Sequence, residues 1–207
     1  RLKALDPLLP VLLLTADRDH ETRLRGLEAG ADDFLNRPFD LTELRLRVKG
    51  HLERRRLQEK LEDLERALLA LVRTVEAKDP YTAGHAERVA RYALLGAREL
   101  GAGEEELRDL HMGALLHDVG KIGLPDELLS KPVSHMSGDE LGQWRKHPTS
   151  GQNALMGLEN LRQAAAYIRA HHERWDGQGF PDRLSGLTIP YGARIIAVAN
   201  DFDGLQI

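Results

Sequence analysis

One stretch of the sequence, from Leu41 to Val75, constrains the fold more than any other because it has the composition of a long helix. It contains no proline and a single glycine, Gly50. Apolar residues in its second half recur alternately four and three positions apart, with charges between them: Leu57, Leu61, Leu64, Leu68, Leu71 and Val75. This spacing is typical of an a/d seam. The sequence therefore predicts a linker helix over residues 41–78 that separates two unlike regions.

The seam on this helix has two interpretations. The helix either lies with its apolar face on its own domain or pairs with a second copy in a parallel coiled coil. The seam extends over about three heptads, the lower limit for inferring a coiled coil from pattern alone. We therefore keep a homodimer through the linker helix as an expectation and leave the alternative open.

Residues 1–40 have the pattern of a small α/β unit. The apolar run "VLLLT" at 11–15 predicts a fully buried strand, and a helix pattern follows over 22–29. The segment "ADDFLNRPFD" then predicts a second short strand and a turn at Arg37-Pro38. Strand, helix and strand in this order predict an α/β arrangement.

This first region resembles the C-terminal part of a response-regulator receiver domain. The resemblance rests on "PVLLLTA", with Thr15 at the family's switch threonine, and on "GLEAGADDFLNRPF". Arg37 stands where the family has a lysine, and the strands that carry the phospho-accepting aspartate do not precede these residues. We expect residues 1–40 to be a partial receiver domain, kept as a structural remnant rather than as a phosphorylation switch.

The region over residues 79–207 is predicted to be mostly helical, with histidines on inward faces. Helix patterns fall near 82–100, 104–118, 138–147, 159–173 and 191–205. Three apolar stripes carry the histidines. The first contains Val89, Tyr92 and Gly96 with His85, and the second contains Leu107, Leu110 and Ala114 with His117 and Asp118. The third contains Leu161, Ala165 and Ile168 with His172, which lies beside His171. Several imidazoles and a carboxylate are thus expected to converge in the interior.

Burying so many titratable groups is costly unless they bind something, and a pair of metal ions removes that cost. The chain has no cysteine, so its metal ligands must be nitrogen and oxygen. A carboxylate such as Asp118 can bridge two cations, and such sites activate water for attack on phosphate esters. Lys121, one helical turn later, would face the negative charge of the phosphate. We predict Asp118 and Lys121 as the catalytic residues.

Five motifs in order resemble the HD-GYP family, a branch of the HD metal-dependent phosphohydrolases. They are "EAKDPYTAGHAERVA" at 76–90, "HDVGK" at 117–121, "KHP" at 146–148, "HHERWDGQGFP" at 171–181 and "IPYGARIIAVAN" at 189–200. Several spaced motifs make a chance match very unlikely. The resemblance implies a mainly α chain, with an all-helical HD-type domain behind the α/β remnant and the linker helix.

The resemblance also implies a site and an activity. Its metal ligands fall on His85, His117, Asp118, His147, His171, His172 and Asn200, and its substrate-binding residues on Lys121, Gly177, Gly179, Phe180 and Pro181. The cofactors would be two divalent metal ions, iron or manganese ahead of nickel or zinc. The reaction would be hydrolysis of cyclic di-GMP to the linear dinucleotide or GMP, as the output of a two-component response regulator. The loop at 177–181 could equally bind a protein partner.

Three departures from the family pattern bear on activity. Phe180 replaces a tyrosine, and Asn200 replaces an aspartate that ligates one metal, which removes a negative charge. The sequence ends at "DFDGLQI", before the family's arginine-containing ligand segment, so one wall of the pocket is expected to be missing. The alternative is a catalytically impaired module that senses cyclic di-GMP or binds a protein. A broader HD-type nucleotide phosphohydrolase is disfavoured by the signature loop.

Composition limits the remaining classes of function. Lysine and arginine number 29 against 33 aspartate and glutamate, which gives a formal net charge of -4 and predicts no DNA binding. The longest apolar run is far shorter than the roughly 20 residues of a membrane helix. We therefore expect a cytoplasmic protein without a membrane segment.

Overall fold

The computed structural model describes Lys3 and residues 6–16, 20–77 and 83–206, with backbone only at 20, 22 and 23. The chain divides into two compact units, Arg1–Ala67 and Leu68–Ile207. The predicted helix start near residue 82 lies outside the described residues. The domain boundaries predicted at 40 and 78 stay predictions.

The first unit contains the predicted strand, helix and strand. Strand β1 (Leu12–Thr15) pairs in parallel with β2 (Asp33–Asn36), and helix α1 (His20–Glu28) connects them. The prediction that β1 is fully buried was wrong, because Leu13 and Leu14 are 39% and 44% exposed. A two-stranded sheet with one crossover helix does not cover both faces of its strands.

Helix α2 (Leu41–Glu76) confirms the long helix predicted from the heptad pattern. Its seam residues Leu57, Leu61, Leu64 and Leu71 are each at least 60% exposed. Its last turns, which belong to the second unit, bury Val72, Val75 and Glu76. The seam therefore has no covering element within the described part of the first unit, and the homodimer stays a prediction. No described helix is long and apolar enough to cross a membrane.

All regular elements among the described residues of the second unit are helices. Its α-helices are α3 (His85–Glu99), α4 (Glu104–Leu116), α5 (Asp126–Leu129), α6 (Gly138–Trp144), α7 (His147–Leu155), α8 (Arg162–Ala170) and α9 (Tyr191–Gly204). Short 3₁₀ helices lie at Val119–Gly123, Val133–His135, Glu159–Leu161 and Gly186–Thr188. The prediction of one helix over 138–147 was wrong. The segment breaks before His147, and α7 was missed because "HPTSGQNAL" has little apolar periodicity.

The core of this unit is built on an alanine stripe of α3. Ala86, Ala90, Ala93 and Ala97 are at most 3% exposed and pack with α4, α8 and α9. The predicted stripe through His85 and Gly96 was wrong at its far end, since Gly96 is exposed. The buried face is centred one residue further along the helix, so the His85 side chain lies at its margin with 12% exposure.

Two glycines bring the segment after Asp118 against α7. A Cβ on Gly120 would overlap the carbonyl oxygen of His147 and lie 2.6 Å from the nitrogen of Gly151. A Cβ on Gly151 would lie 2.9 Å from Cγ2 of Ile168. Backbone therefore packs directly on backbone here. This contact places Asp118 beside His147, although 29 positions separate them in the chain.

Replacing Gly120 with alanine is expected to lower the free energy of unfolding by about 1–3 kcal/mol, because the added methyl group must displace α7. Gly123→Ala is the matched control in the same 3₁₀ helix, since no atom lies within 4 Å of a Cβ there. Urea unfolding followed by circular dichroism measures both variants. Equal midpoints for the two variants would contradict the close contact at Gly120.

Candidate metal centre

The predicted ligands meet where several helices begin or end. His85 opens α3, His117 and Asp118 follow α4, and His147 opens α7, while His171 and His172 follow α8. Their ligand atoms form two groups, each within 4.8 Å: His85, His117 and Asp118; and His147, His171 and His172. The structure thus brings together all six histidine and aspartate positions predicted from sequence. Asn200, on α9, joins the first group with its Oδ1 atom 3.0 Å from Nε2 of His85.

Three of the imidazoles are oriented by the same hydrogen bond. The Nδ1 atoms of His117, His147 and His171 each contact the carbonyl oxygen three residues earlier. The acceptors are Ala114 at 2.7 Å, Trp144 at 2.8 Å and Ile168 at 2.6 Å, respectively. A carbonyl oxygen only accepts, so Nδ1 carries the proton and Nε2 carries the lone pair. The chain therefore fixes the tautomer in which Nε2 is available as a metal ligand.

The Asp118 carboxylate lies between the two groups. Its Oδ2 atom is 3.4 Å from Nε2 of His117, and its Oδ1 atom is 3.4 Å from Nε2 of His147. Nζ of Lys121 donates to Oδ2 at 2.7 Å. One oxygen thus faces each histidine group, which is the arrangement of a carboxylate that bridges two cations.

The lone pairs in this cluster lack donors. Nε2 of His117 is buried and has no hydrogen-bond partner among the described residues. Nε2 of His147 and Nε2 of His171 lie 3.4 Å apart, and both are lone-pair atoms in the tautomer fixed above. Buried acceptors that face each other are unfavourable unless a cation or donor lies between them. The residues present therefore fit divalent cations bound by nitrogen and oxygen.

Burial keeps these imidazoles neutral. It lowers the pKa of His147 and of His172 to about 3, and it lowers the pKa of His117 and of His171 as well. Burial alone would raise the pKa of Asp118, but the positive charge of Lys121 holds it well below its usual range. The cluster therefore presents neutral nitrogen ligands around an ionised carboxylate.

Asp203 is a residue of the site that sequence reasoning missed. Its buried carboxylate accepts a hydrogen bond from Nδ1 of His85 at 2.7 Å and pairs with the Arg88 guanidinium at 2.7 and 3.0 Å. It therefore orients His85 as the backbone carbonyls orient the other histidines. The available signal was its position three residues after Asn200, on the same face of α9.

Glu76 was also missed, although it lies in a recognised motif. The carboxylate of this buried residue accepts hydrogen bonds from the backbone N–H of Gly84 at 2.9 Å and of Ala86 at 2.7 Å. It therefore caps the first turn of α3 from outside that helix. Because His85 lies between the two bonded residues, the last turn of α2 fixes the start of the helix that carries this ligand.

The signature loop closes one side of the histidine cluster. The Phe180 ring stacks on the His172 ring, with centroids 4.7 Å apart and an interplanar angle of 21°. Gly177 has a φ of +74°, which favours glycine, and Gly179 packs against the backbone of residues 172–174. Glu173 holds the loop by accepting from the N–H groups of Asp182 and Leu184 at 2.6 and 3.0 Å. The loop thus places an aromatic face beside the metal ligands.

Comparison with known proteins identifies the class of this fold and site. Residues 70–206 match the family described as "HD domain". The chain therefore belongs to the HD domain family. Its membership of the HD-GYP branch, inferred from the motifs, is confirmed, and so is the mainly α fold with an all-helical HD-type domain.

Individual relatives are named for cyclic dinucleotides. The chain is 39% identical to the cyclic di-GMP phosphodiesterase response regulator RpfG of Xanthomonas campestris, over 95% of this chain and 57% of that protein. It is 40% identical to 3'3'-cGAMP-specific phosphodiesterase 3 of Vibrio cholerae, over 69% of this chain and 31% of that protein. Among solved structures, a HDG"Y"P protein of Bdellovibrio bacteriovorus has a TM-score of 0.53 at 29% identity, covering 59% of this chain and 40% of that one.

Replacing Asp118 with asparagine is expected to lower metal content in both groups, because one oxygen serves each of them. His172→Ala is expected to lower it less, because it removes one ligand from one group only. Metal is measured by mass spectrometry after anaerobic loading and dialysis. Asp63→Asn, at an exposed position on α2, is the control for loss of a carboxylate. Equal losses in the Asp118 and His172 variants would contradict the bridging role.

Proposed function

We propose that this chain is a metal-dependent phosphodiesterase that hydrolyses cyclic di-GMP. The observation that carries the proposal is the Asp118 carboxylate, which has one oxygen toward each histidine group and Lys121 on the second oxygen. The names of the relatives support a cyclic dinucleotide as substrate. The chain spans 57% of the length of the first of these relatives, so substrate and activity belong to this proposal.

The proposed roles follow from charge and tautomer. Divalent cations at the two groups would polarise a phosphodiester and lower the pKa of water so that it can attack phosphorus. Lys121 holds a positive charge next to Asp118, where negative charge on the phosphate oxygens increases in the transition state. His147 and His172, each with a pKa of about 3, serve as neutral ligands and do not donate protons.

The ligand set that we propose comprises His85, His117, Asp118, His147, His171, His172 and Asn200. Imidazole and carboxylate ligands suit iron and manganese, which we place ahead of nickel and zinc. The substrate-binding residues in this proposal are Lys121, Gly177, Gly179, Phe180 and Pro181. The ring of Phe180, already stacked on His172, offers a face for a guanine base.

The surrounding assignments belong to the same proposal. Residues 1–40 are a partial receiver domain, and Thr15 at the end of β1 occupies the switch position of that family. Helix α2 pairs with a second copy through its exposed leucines. The signature loop can bind a protein partner, and the protein acts in the cytoplasm.

Asn200 supports the second candidate, an impaired module that binds cyclic di-GMP without hydrolysing it. Its Oδ1 atom lies 3.0 Å from Nε2 of His85, so an amide oxygen occupies the place of a ligand but brings no charge. Both hypotheses share the fold and the histidine cluster. They differ in whether cyclic di-GMP is turned over, and the names of the relatives favour the enzyme hypothesis.

Lys121→Gln is expected to reduce kcat for cyclic di-GMP by about 100-fold, because it removes one charge that stabilises the transition state. Product formation is followed by liquid chromatography with protein loaded anaerobically with iron or manganese. Metal content should stay at the parent level, since Lys121 is not a ligand. Lys49→Gln, on the exposed surface of α2, is the control. A parent protein that binds metal but shows no turnover would support the impaired module instead.

Asn200→Asp is expected to increase metal retention and turnover, because a carboxylate adds a negative charge to the first group. Both quantities are measured after partial chelation, when the weaker metal is lost first. Asn153→Asp introduces the same change at an exposed position on α7 and should alter neither. Unchanged retention in Asn200→Asp would show that Asn200 does not contact the metal.

A further inference from the structure

A cavity beside the signature loop is lined by positively charged side chains. It has a volume of about 510 Å³ between the junction of α6 and α7 and the loop at 177–183. Its charged lining residues are Arg145, Lys146 and Arg183, and no carboxylate side chain lines it. Thr149, in the first turn of α7, also lines it. The cavity therefore has the electrostatics of an anion-binding site.

The three cations of this cavity are not neutralised by the nearby acids. The loop carboxylates Asp176 and Asp182 pair with Arg174 and Arg169, respectively, at 2.7 and 2.5 Å. In the part of the chain that the structure describes, no carboxylate lies within ion-pairing distance of the lining cations. Their positive charge is therefore available to a ligand.

Arg183 has an unusual backbone conformation. Its φ is +56°, the left-handed region that glycine adopts without strain, and it is the one non-glycine residue with positive φ among the described residues. Strain of this kind is often found at ligand-binding segments. The conformation directs the chain so that this residue lines the cavity together with Arg145 and Lys146.

The cationic cavity shares lining residues with a cavity that is lined by two of the candidate ligands. This neighbouring cavity of about 500 Å³ shares Arg145, Gln178, Gly179 and Phe180 with it. Its other charged or titratable lining residues are His171, His172, Arg174 and the carboxylates Glu173 and Asp201. Phe180 lines both cavities. Its ring stacks on the ring of His172, and the Arg145 guanidinium lies 5.4 Å from the centroid of the Phe180 ring. A ligand that reaches the metal ligands along Phe180 therefore extends toward the three cations.

We propose that Arg145, Lys146 and Arg183 bind the second, non-reacting phosphate of a cyclic dinucleotide whose first phosphate lies at the metal centre. This inference rests on the proposed function. A cyclic dinucleotide contains two phosphodiesters on opposite sides of its ring, and both are negatively charged. When one is held for hydrolysis, the other needs a countercharge at a distance, and the cationic cavity provides it. The three cations thus set specificity for two-phosphate substrates.

The experiment compares cyclic di-GMP with bis(p-nitrophenyl) phosphate, which has a single phosphodiester. Arg145→Gln, Lys146→Gln, Arg183→Gly and the triple variant are assayed on both substrates. Arg183→Gly also relieves the backbone strain, so a loss in this variant does not report misfolding. Each single change is expected to raise KM for cyclic di-GMP by about 5- to 10-fold, and kcat/KM for bis(p-nitrophenyl) phosphate should stay within about twofold. Arg162→Gln, whose partner is Glu159 on the surface, is the control.

Binding gives a readout that is independent of turnover. Equilibrium dialysis of cyclic di-GMP in excess chelator should show weaker binding to the triple variant than to the parent protein. Unchanged KM and unchanged binding in the triple variant would overturn the inference, as would an equal loss on both substrates, which would place the cations at the reacting phosphate. A parent protein that hydrolyses bis(p-nitrophenyl) phosphate but neither binds nor hydrolyses cyclic di-GMP would instead refute the proposed function itself.

Discussion

The organisation of the second unit depends on the electrostatics of one carboxylate. Asp118 stays ionised in a partly buried position because the Lys121 ammonium donates to its Oδ2 atom at 2.7 Å. Each of its oxygens lies 3.4 Å from a different histidine. Those oxygens and the Nε2 atoms that face them are all acceptors, so bound cations are the groups that would compensate them. The helices pack along their sides through the alanine-rich core, and their ends supply the candidate ligands around this carboxylate.

Helix ends suit this task for a geometric reason. A histidine that follows the last turn can donate from Nδ1 to a free carbonyl three residues earlier, as His117 and His171 do. The same bond satisfies an orphan carbonyl and fixes the ring, so one interaction serves both stability and ligand geometry. At His85, Nδ1 instead donates to the carboxylate of Asp203, which is distant in the chain.

The structure brings together the candidate ligands that the sequence singled out by chemistry and by motif. His117 and Asp118 were identified by an apolar stripe and by their place in "HDVGK", and the structure brings them to the other histidines. Asp203 and Glu76 could not be assigned in the same way, because their roles depend on contacts that only the tertiary fold creates. Helix α7 was missed because its buried face consists of His147, Pro148, Gly151 and Leu155, a set with little apolar periodicity. The exposure of Leu13 was missed because burial depends on the number of strands in the sheet.

The cap formed by Glu76 connects the end of the long helix α2 to the helix that begins with His85. Two hydrogen bonds join the end of α2 to the residues on either side of His85. A rotation of α2 by a fraction of a turn would strain both bonds at once and tilt the His85 ring away from its partners. The position of His85 therefore depends on the last turn of α2, a segment that contributes none of the candidate ligands.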